Sequence, residues 1–201
     1  SGSVAIGKDA LVSQNFDSAT VTHNVAVGLG AGLAVTTGTQ NTLLGSGAAD
    51  SLQTGHYNTT VGYQALQNED ATSANTALGF RALYSMDGGL AGNTAVGAEA
   101  GFSLTNASGL VAIGYQASYS GTGADGVTAV GYGAGKFQTT SAYSTFVGHQ
   151  AGQGITGTKL TGNNNTALGK DAGLLLQGAA AQNVLIGAQA GDALTTGSEN
   201  I

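Results

Sequence analysis

The chain has 201 residues, with 35 Gly, no Pro and no Cys, and 11 acidic against 5 basic side chains for a net charge of −6. Only 8% of residues are charged while 41% are hydrophobic, which excludes a disordered chain, and Gly lacks the three-residue period of collagen. Without cysteine there is neither a disulfide frame nor a thiolate metal site, and these residues contain no 18-residue apolar run and no signal-peptide pattern, so membrane insertion is not expected.

Along the chain an Asn-Thr-Ala-Val-Gly type of pentad, with Ala three residues beyond the Gly, recurs eleven times. The anchor glycines are Gly7, Gly28, Gly45, Gly62, Gly79, Gly97, Gly114, Gly131, Gly148, Gly169 and Gly187, mostly 17 residues apart, with gaps of 18 and 21. A unit this short cannot bury a core alone and must stack on its neighbours. Slots are numbered here from the anchor as zero. Slot −1 is always aliphatic, from Ile6 to Ile186, and slot −3 always β-branched, from Val4 to Val184. Both lie on one side of a strand and suit a packed pleated surface. They are therefore expected inside the coil. Slot −2, Ala in seven coils, and the anchor Gly make a small opposite face. Either a return strand or another subunit can press against it.

Slot +3 is Ala in all eleven coils, where the chain bends into a looser return segment such as Leu174-Leu175-Leu176-Gln177-Gly178. Slot −4 is Asn in coils two to six, ten and eleven, Ser in coils one and nine, and Leu110 and Val127 in coils seven and eight. Asn stacked in register can form an amide ladder or open a turn. The two 21-residue coils place surface loops before Asn24 and Asn165, around Asp17 and Lys159. Two short strands and two turns per coil predict an all-β parallel β-roll or β-solenoid of about eleven coils, rising about 4.8 Å per coil. Asn200-Ile201 stands where a twelfth cassette would begin. Residues 1–201 are thus expected to be one repetitive segment of a longer fibre protein.

The bases Lys8, Arg81, Lys136, Lys159 and Lys170 make no basic stripe, so nucleic acid is not an expected partner. Asp9, Glu99 and Asp171 share slot +2 but lie coils apart, and Glu69 and Asp70 are adjacent and tend to point to opposite faces. No carboxylate pair of a hydrolase is formed. These acids are read as solvated surface groups. His23, His56 and His149 stand in three different slots and cannot make a metal cluster within one chain; near a trimer axis one of them could form a three-His ring. No catalytic residue, cofactor or metal is assigned. The Thr column at Thr42, Thr59, Thr76 and Thr94 brings an ice-binding surface to mind. That would need paired outward Thr columns, and this single one alternates with Val as interior slots do.

One constellation stands out as a candidate binding stripe. Slot +1 carries Tyr63, Phe80, Tyr115 and Tyr132, interrupted by Ala98, and Gln64 and Gln116 follow two of them. Facing out, the stripe would stack on sugar rings or dock a protein. Facing in, it would fill a corner of the solenoid. The inward row is favoured, since solenoids pack by stacking like residues.

Cassettes such as Ser3-Val4-Ala5-Ile6-Gly7, Asn93-Thr94-Ala95-Val96-Gly97-Ala98-Glu99-Ala100 and Val111-Ala112-Ile113-Gly114 resemble the head repeats of YadA-like trimeric autotransporter adhesins. The Asn58-Thr59-Thr60-Val61-Gly62-Tyr63-Gln64-Ala65-Leu66 type is similar to repeats of bacterial and phage fibre proteins. The resemblance spans essentially the whole chain. It implies a left-handed β-roll with three chains side by side, exposed outside a cell or on a virion. The expected function is a structural and adhesive segment of an extracellular trimeric fibre that presents a binding face to a glycan or protein receptor. The alternative is the shaft of a phage or injection-apparatus tail fibre.

Overall fold

The computed structural model describes residues 2–15, 21–87 and 91–201. Eleven strands of three residues each follow one another: β1 Val4–Ile6, β2 Val25–Val27, β3 Thr42–Leu44, β4 Thr59–Val61, β5 Thr76–Leu78, β6 Thr94–Val96, β7 Val111–Ile113, β8 Thr128–Val130, β9 Thr145–Val147, β10 Thr166–Leu168 and β11 Val184–Ile186. They form one parallel sheet in sequence order, paired slot for slot, so that Thr94 faces Val111 and Ala95 faces Ala112. This is a parallel β-solenoid, and the described residues contain no helix.

Each coil has one strand, not two. After the anchor the backbone makes a cascade of turns, with Ala100 N–H donating to Gly97 O at 3.3 Å and Leu104 N–H to Gly101 O at 3.1 Å. Left-handed residues at slots +2 and +4 drive the cascade, for example Gln64 at φ 54° and Leu66 at φ 52°. The turns still bond from coil to coil, as in Leu66 N–H to Ala82 O at 2.9 Å. The return side is therefore a stack of hydrogen-bonded turns, with isolated bridges among the described residues only at Gln138–Leu160 and Leu160–Gly178.

The expected inside and outside of the strand are reversed. The middle residue of β2 through β11 is buried, while slots −3 and −1 are half-buried or exposed. Ala77, Ala112 and Ala167 are fully covered, whereas Leu78, Ile113 and Leu168 remain 44%, 39% and 43% exposed. The reason is width. The small face meets the return turns of the same chain, and the interior between them is shared by slots −2, +3, +4 and +7. Leu83 and Met86 already fill it opposite Ala77.

Volume is traded between slots to keep that interior constant. Where slot −2 is large, slot +4 shrinks: a methyl on Gly32 would lie 2.5 Å from Leu43 Cδ1, and one on Gly135 2.8 Å from Phe146 Cδ2. Close packing makes each such exchange felt. The anchor column is tighter still. Gly114 has φ +128°, and a Cβ there would lie 2.5 Å from Gly131 O, so only glycine fits.

Slot −4 forms the expected ladder, and the asparagines are buried. Asn41 Oδ1 accepts from Asn58 N–H at 2.9 Å while its Nδ2 donates across the coil to Gly55 O at 2.9 Å. One side chain thus ties a coil to its own return side and to the next coil. The ladder runs on to Leu110, whose N–H donates to Asn93 Oδ1, and resumes at Ser144, Asn165 and Asn183. Leu110 and Val127, which interrupt it, are simply buried.

Phe146 is the largest fully buried side chain among the described residues. Phe146→Ala leaves a void beside Gly135 and Gly152 and should cost about 3–5 kcal/mol. Chemical denaturation of the variant beside the parent chain reads this directly.

Candidate functional site

The stripe residues lie on the surface. Tyr63, Phe80, Tyr115 and Tyr132 are 44–49% exposed, so the inward alternative is overturned. Slot +1 leaves the strand just past the anchor, where the turn cascade carries its side chain out of the packed interior. The rings stack along the solenoid in two runs. Tyr63 and Phe80 lie 5.8 Å apart with planes 10° from parallel. Beyond the Ala98 gap, Tyr115 and Tyr132 lie 5.3 Å apart, and Tyr132 stacks on His149 at 5.1 Å. Coil stacking sets these near-van der Waals spacings.

A second aromatic row escaped sequence reading. Tyr84, Phe102 and Tyr119 occupy slot +5 of successive coils and stack at 5.2 and 5.1 Å, with planes within 5°. Aligning slot +5 as slot +1 was aligned would have revealed it. Arg81 lies between the rows, its guanidinium 5.0 Å from the Phe80 centroid and 5.3 Å from that of Tyr84, with Nε donating to Gln64 Oε1 at 2.9 Å. Lys136 continues the second row, 6.0 Å from the Tyr119 centroid and 5.1 Å from that of Phe137. Gln116 Nε2 donates to Glu99 Oε2 at 2.7 Å in the strip between. Partial burial, then the neighbouring Glu99 carboxylate, pushes the Tyr119 hydroxyl above the usual phenol range. The flank is thus a ledge of two aromatic rows with polar side chains between them. Such a surface gives rigid stacking area and oriented hydrogen bonds at low entropic cost.

The titratable residues outside the ledge have structural positions. Glu69 is buried, contrary to the solvated reading, because Oε1 accepts from Ala71 N–H at 2.9 Å and Thr72 N–H at 2.7 Å. It caps a turn in slot +7, which is apolar in neighbouring coils. Asp70 beside it is exposed. His56 Nδ1 accepts from Thr39 N–H at 3.0 Å. His149 lies 3.7 Å from Asp171 Oδ1, and Lys170 donates to Asp171 Oδ2. Of the two long loops, Asp17 falls outside the described residues and Lys159 is exposed. Among the described residues no three His, Asp or Glu converge as a metal site would require, and no helix is long and apolar enough to cross a membrane.

No family model, no curated protein and no solved structure matches this chain.

Two outcomes follow from this surface. The Lys170 hydrogen bond, aided by the charges of Lys170 and His149, holds the Asp171 carboxyl below the usual carboxylate range. A folded pKa lowered in this way contributes stability above the unfolded value, and that stability is lost as pH falls through the folded pKa. Carboxyl-detected NMR should therefore give Asp171 a low midpoint that rises in Lys170→Ala. Changing Tyr63, Tyr115 and Tyr132 together to Ser removes exposed rings only. The unfolding free energy should fall by no more than the stacking lost, about 0.5–1.5 kcal/mol per pair, whereas an inward row would have collapsed the fold.

Proposed function

We propose that the chain is a structural and adhesive segment of an extracellular trimeric fibre, in which three parallel copies pack through the outer face of the strands and leave the aromatic ledge free to bind. The observation that carries this is the outward aliphatic column. A slot −1 aliphatic stands on the outer face of every strand, exposed at Ile6, Leu78, Ile113, Leu168 and Ile186 and half-buried in the other coils, and with the column of Thr and Val beside it makes an apolar ribbon along the stack, of the kind that marks an interaction surface. A partner that matches it throughout needs the same rise per coil. Another copy of this chain, aligned in parallel, has that periodicity automatically. The trimeric state, the left-handed winding and the exposure on a cell or virion come from the likeness to adhesin-head and fibre repeats noted in the sequence. The ledge is offered as the face that meets a glycan or protein receptor.

The outward Thr column supports a second reading. Thr76, Thr94 and Thr128 face out on a regular parallel sheet, so the objection that Thr occupies an interior slot falls. The neighbouring column is Leu, Val and Ile rather than Thr, which suits association with copies better than ordering of ice. A thermal hysteresis measurement on the isolated chain would reveal ice binding.

Light scattering at micromolar concentration is expected to give the mass of three 19.5 kDa chains. Val96→Asp should dissociate the trimer into folded monomers, because Val96 is on the ribbon and only half-buried in the chain. Ala95→Asp, one residue away but buried, should instead unfold the coil by placing an unpaired charge in the interior. A parent chain that scatters as a monomer overturns the reading.

A further inference from the structure

Slot +2 carries a side chain in most coils, but in coils two and three it is glycine, while slots +1 and +5 of coil two are Leu29 and Leu33. Slot +2 is Gly30 and then Gly47, and slot +1 of coil three is Ser46. Coil one has Asp9 at slot +2, and coil four has Tyr63 and Gln64 at slots +1 and +2. The missing slot +2 side chains leave a hollow of about 250 Å³ in the ledge. Asp9 and Asp50 line it with Gly30, Gly47 and the exposed Leu29 and Leu33, which make part of its wall apolar, and the end of the aromatic run, Tyr63, stands at its edge with Gln67.

The walls have a definite chemistry. Tyr63 is half exposed and offers a ring face to the C–H side of a flat ligand. Asp50 Oδ2 accepts from Gln67 Nε2 at 3.3 Å and Oδ1 from Ser51 Oγ at 3.1 Å, which holds the carboxylate in place. Each of its oxygens retains a lone pair for a hydroxyl donor. Gln67 Oε1 is buried and has no partner among the described residues. Two carboxylates and no basic side chain line the hollow. The nearby Lys8 ammonium, 4.0 Å from Asp9 Oδ2, is itself solvent-exposed. An anionic ligand would meet the Asp50 carboxylate, which among the described residues has no cationic partner.

We propose that this hollow is a subsite for one neutral pyranose ring, which stacks on Tyr63 and donates hydroxyl protons to Asp50 and Asp9. The volume is below the roughly 300–1,000 Å³ of drug-sized sites, so it takes a single ring and not a chain. Further sugars of a glycan would run along the ledge over Phe80. The inference deepens the binding reading of the ledge and rests on that flank lying outside the trimer. Sialic acids and uronates are excluded by the carboxylates, and the hollow selects neutral hexoses or N-acetylhexosamines.

The repeat itself supplies the test. A Cβ on Gly47 would meet only Gln64 Cγ at 3.5 Å and Asp50 Oδ2 at 4.0 Å, both ordinary contacts, and Gly47 has φ +64°. Gln holds the same slot at φ 54° in coil four and 53° in coil seven. Gly47→Gln therefore fills the hollow with a side chain the coil already accepts, while Gly47→Ala imposes the same backbone strain without filling it. Saturation-transfer NMR would be run with the methyl glycosides of glucose, galactose, mannose and N-acetylglucosamine, and with sialyllactose and galacturonate. Transfer from at least one neutral glycoside is expected, kept in Gly47→Ala and weakened at least tenfold in Gly47→Gln and Tyr63→Ser. Transfer from none of the neutral glycosides, binding unchanged by Gly47→Gln, or a preference for the anionic sugars overturns the proposal. The mass of each sample is read by light scattering alongside. A monomer that binds a neutral glycoside sinks the fibre reading alone, and a trimer that binds none sinks the subsite alone.

Discussion

The interior of each coil is narrow, and the rest of the molecule follows from that limit. One three-residue strand faces a cascade of turns, and the gap between them holds small residues from slots −2 and +3 with one or two larger ones from slots +4 and +7. Ala95 and Ala100 are buried because nothing bigger fits beside Leu104 and Leu110, and Phe146 is admitted where Gly135 and Gly152 give way. Burial of each aliphatic there contributes roughly 1.5–3 kcal/mol as an upper estimate. Aliphatics that the gap refuses must go outside. The ribbon is a consequence of the narrow core before it is an interface.

Close stacking also demands unusual backbone. Among the described residues, twenty-one other than glycine have positive φ, a conformation that costs roughly 1–2 kcal/mol each. Slot −5 shows it in Tyr57 and Tyr143, and slot +4 in Leu66 and Leu83. What holds them is repetition, since turns donate and accept hydrogen bonds with the turns above and below, and Asn24, Asn41, Asn58, Asn93, Asn165 and Asn183 each add a bond across their coil. Strain and its compensation recur with the same period. A coil cut from the stack would keep the first and lose most of the second, which is the physical content of a one-dimensional solenoid.

Much of this was legible in residue spacing. The 17-residue recurrence of the anchors placed all eleven strands, their parallel register, the close backbone approach at glycine and the Asn ladder. The direction of the strand was misread because large apolar residues were assumed to point inward. That rule holds where the interior is wide, and fails where Ala77 and Ala112 fill it and Leu78 and Ile113 are left out. The second strand per coil was misread for a related reason: left-handed turns built on Gln, Arg, Glu and Leu have no residue signature of the Gly or Asn kind. Glu69 was taken for a surface acid because its backbone partners, Ala71 and Thr72 N–H, become visible only once the turn exists. At the candidate site the first aromatic row was seen and its facing was not, and the row of Tyr84, Phe102 and Tyr119 lay in a slot too variable elsewhere to draw notice.

That variability is itself informative. Slots 0 and +3, dictated by backbone approach and interior width, are Gly and Ala in every coil, and slot −4, dictated by the ladder, is Asn in seven of eleven. Slots +1, +2 and +5 answer to none of these demands, and they range from Gly and Ala through Asp and Gln to Tyr, Phe, Arg and Lys. Because every coil presents the same three slots at the same places, a change in one residue alters the flank at one height and leaves the stack intact. Aromatic residues gathered in coils four to eight therefore make a ledge, and glycines gathered in coils two and three make a hollow, without any change of fold. The solenoid separates its tasks by slot: the strand slots meet the core and the ribbon, while the turn slots are free to carry recognition.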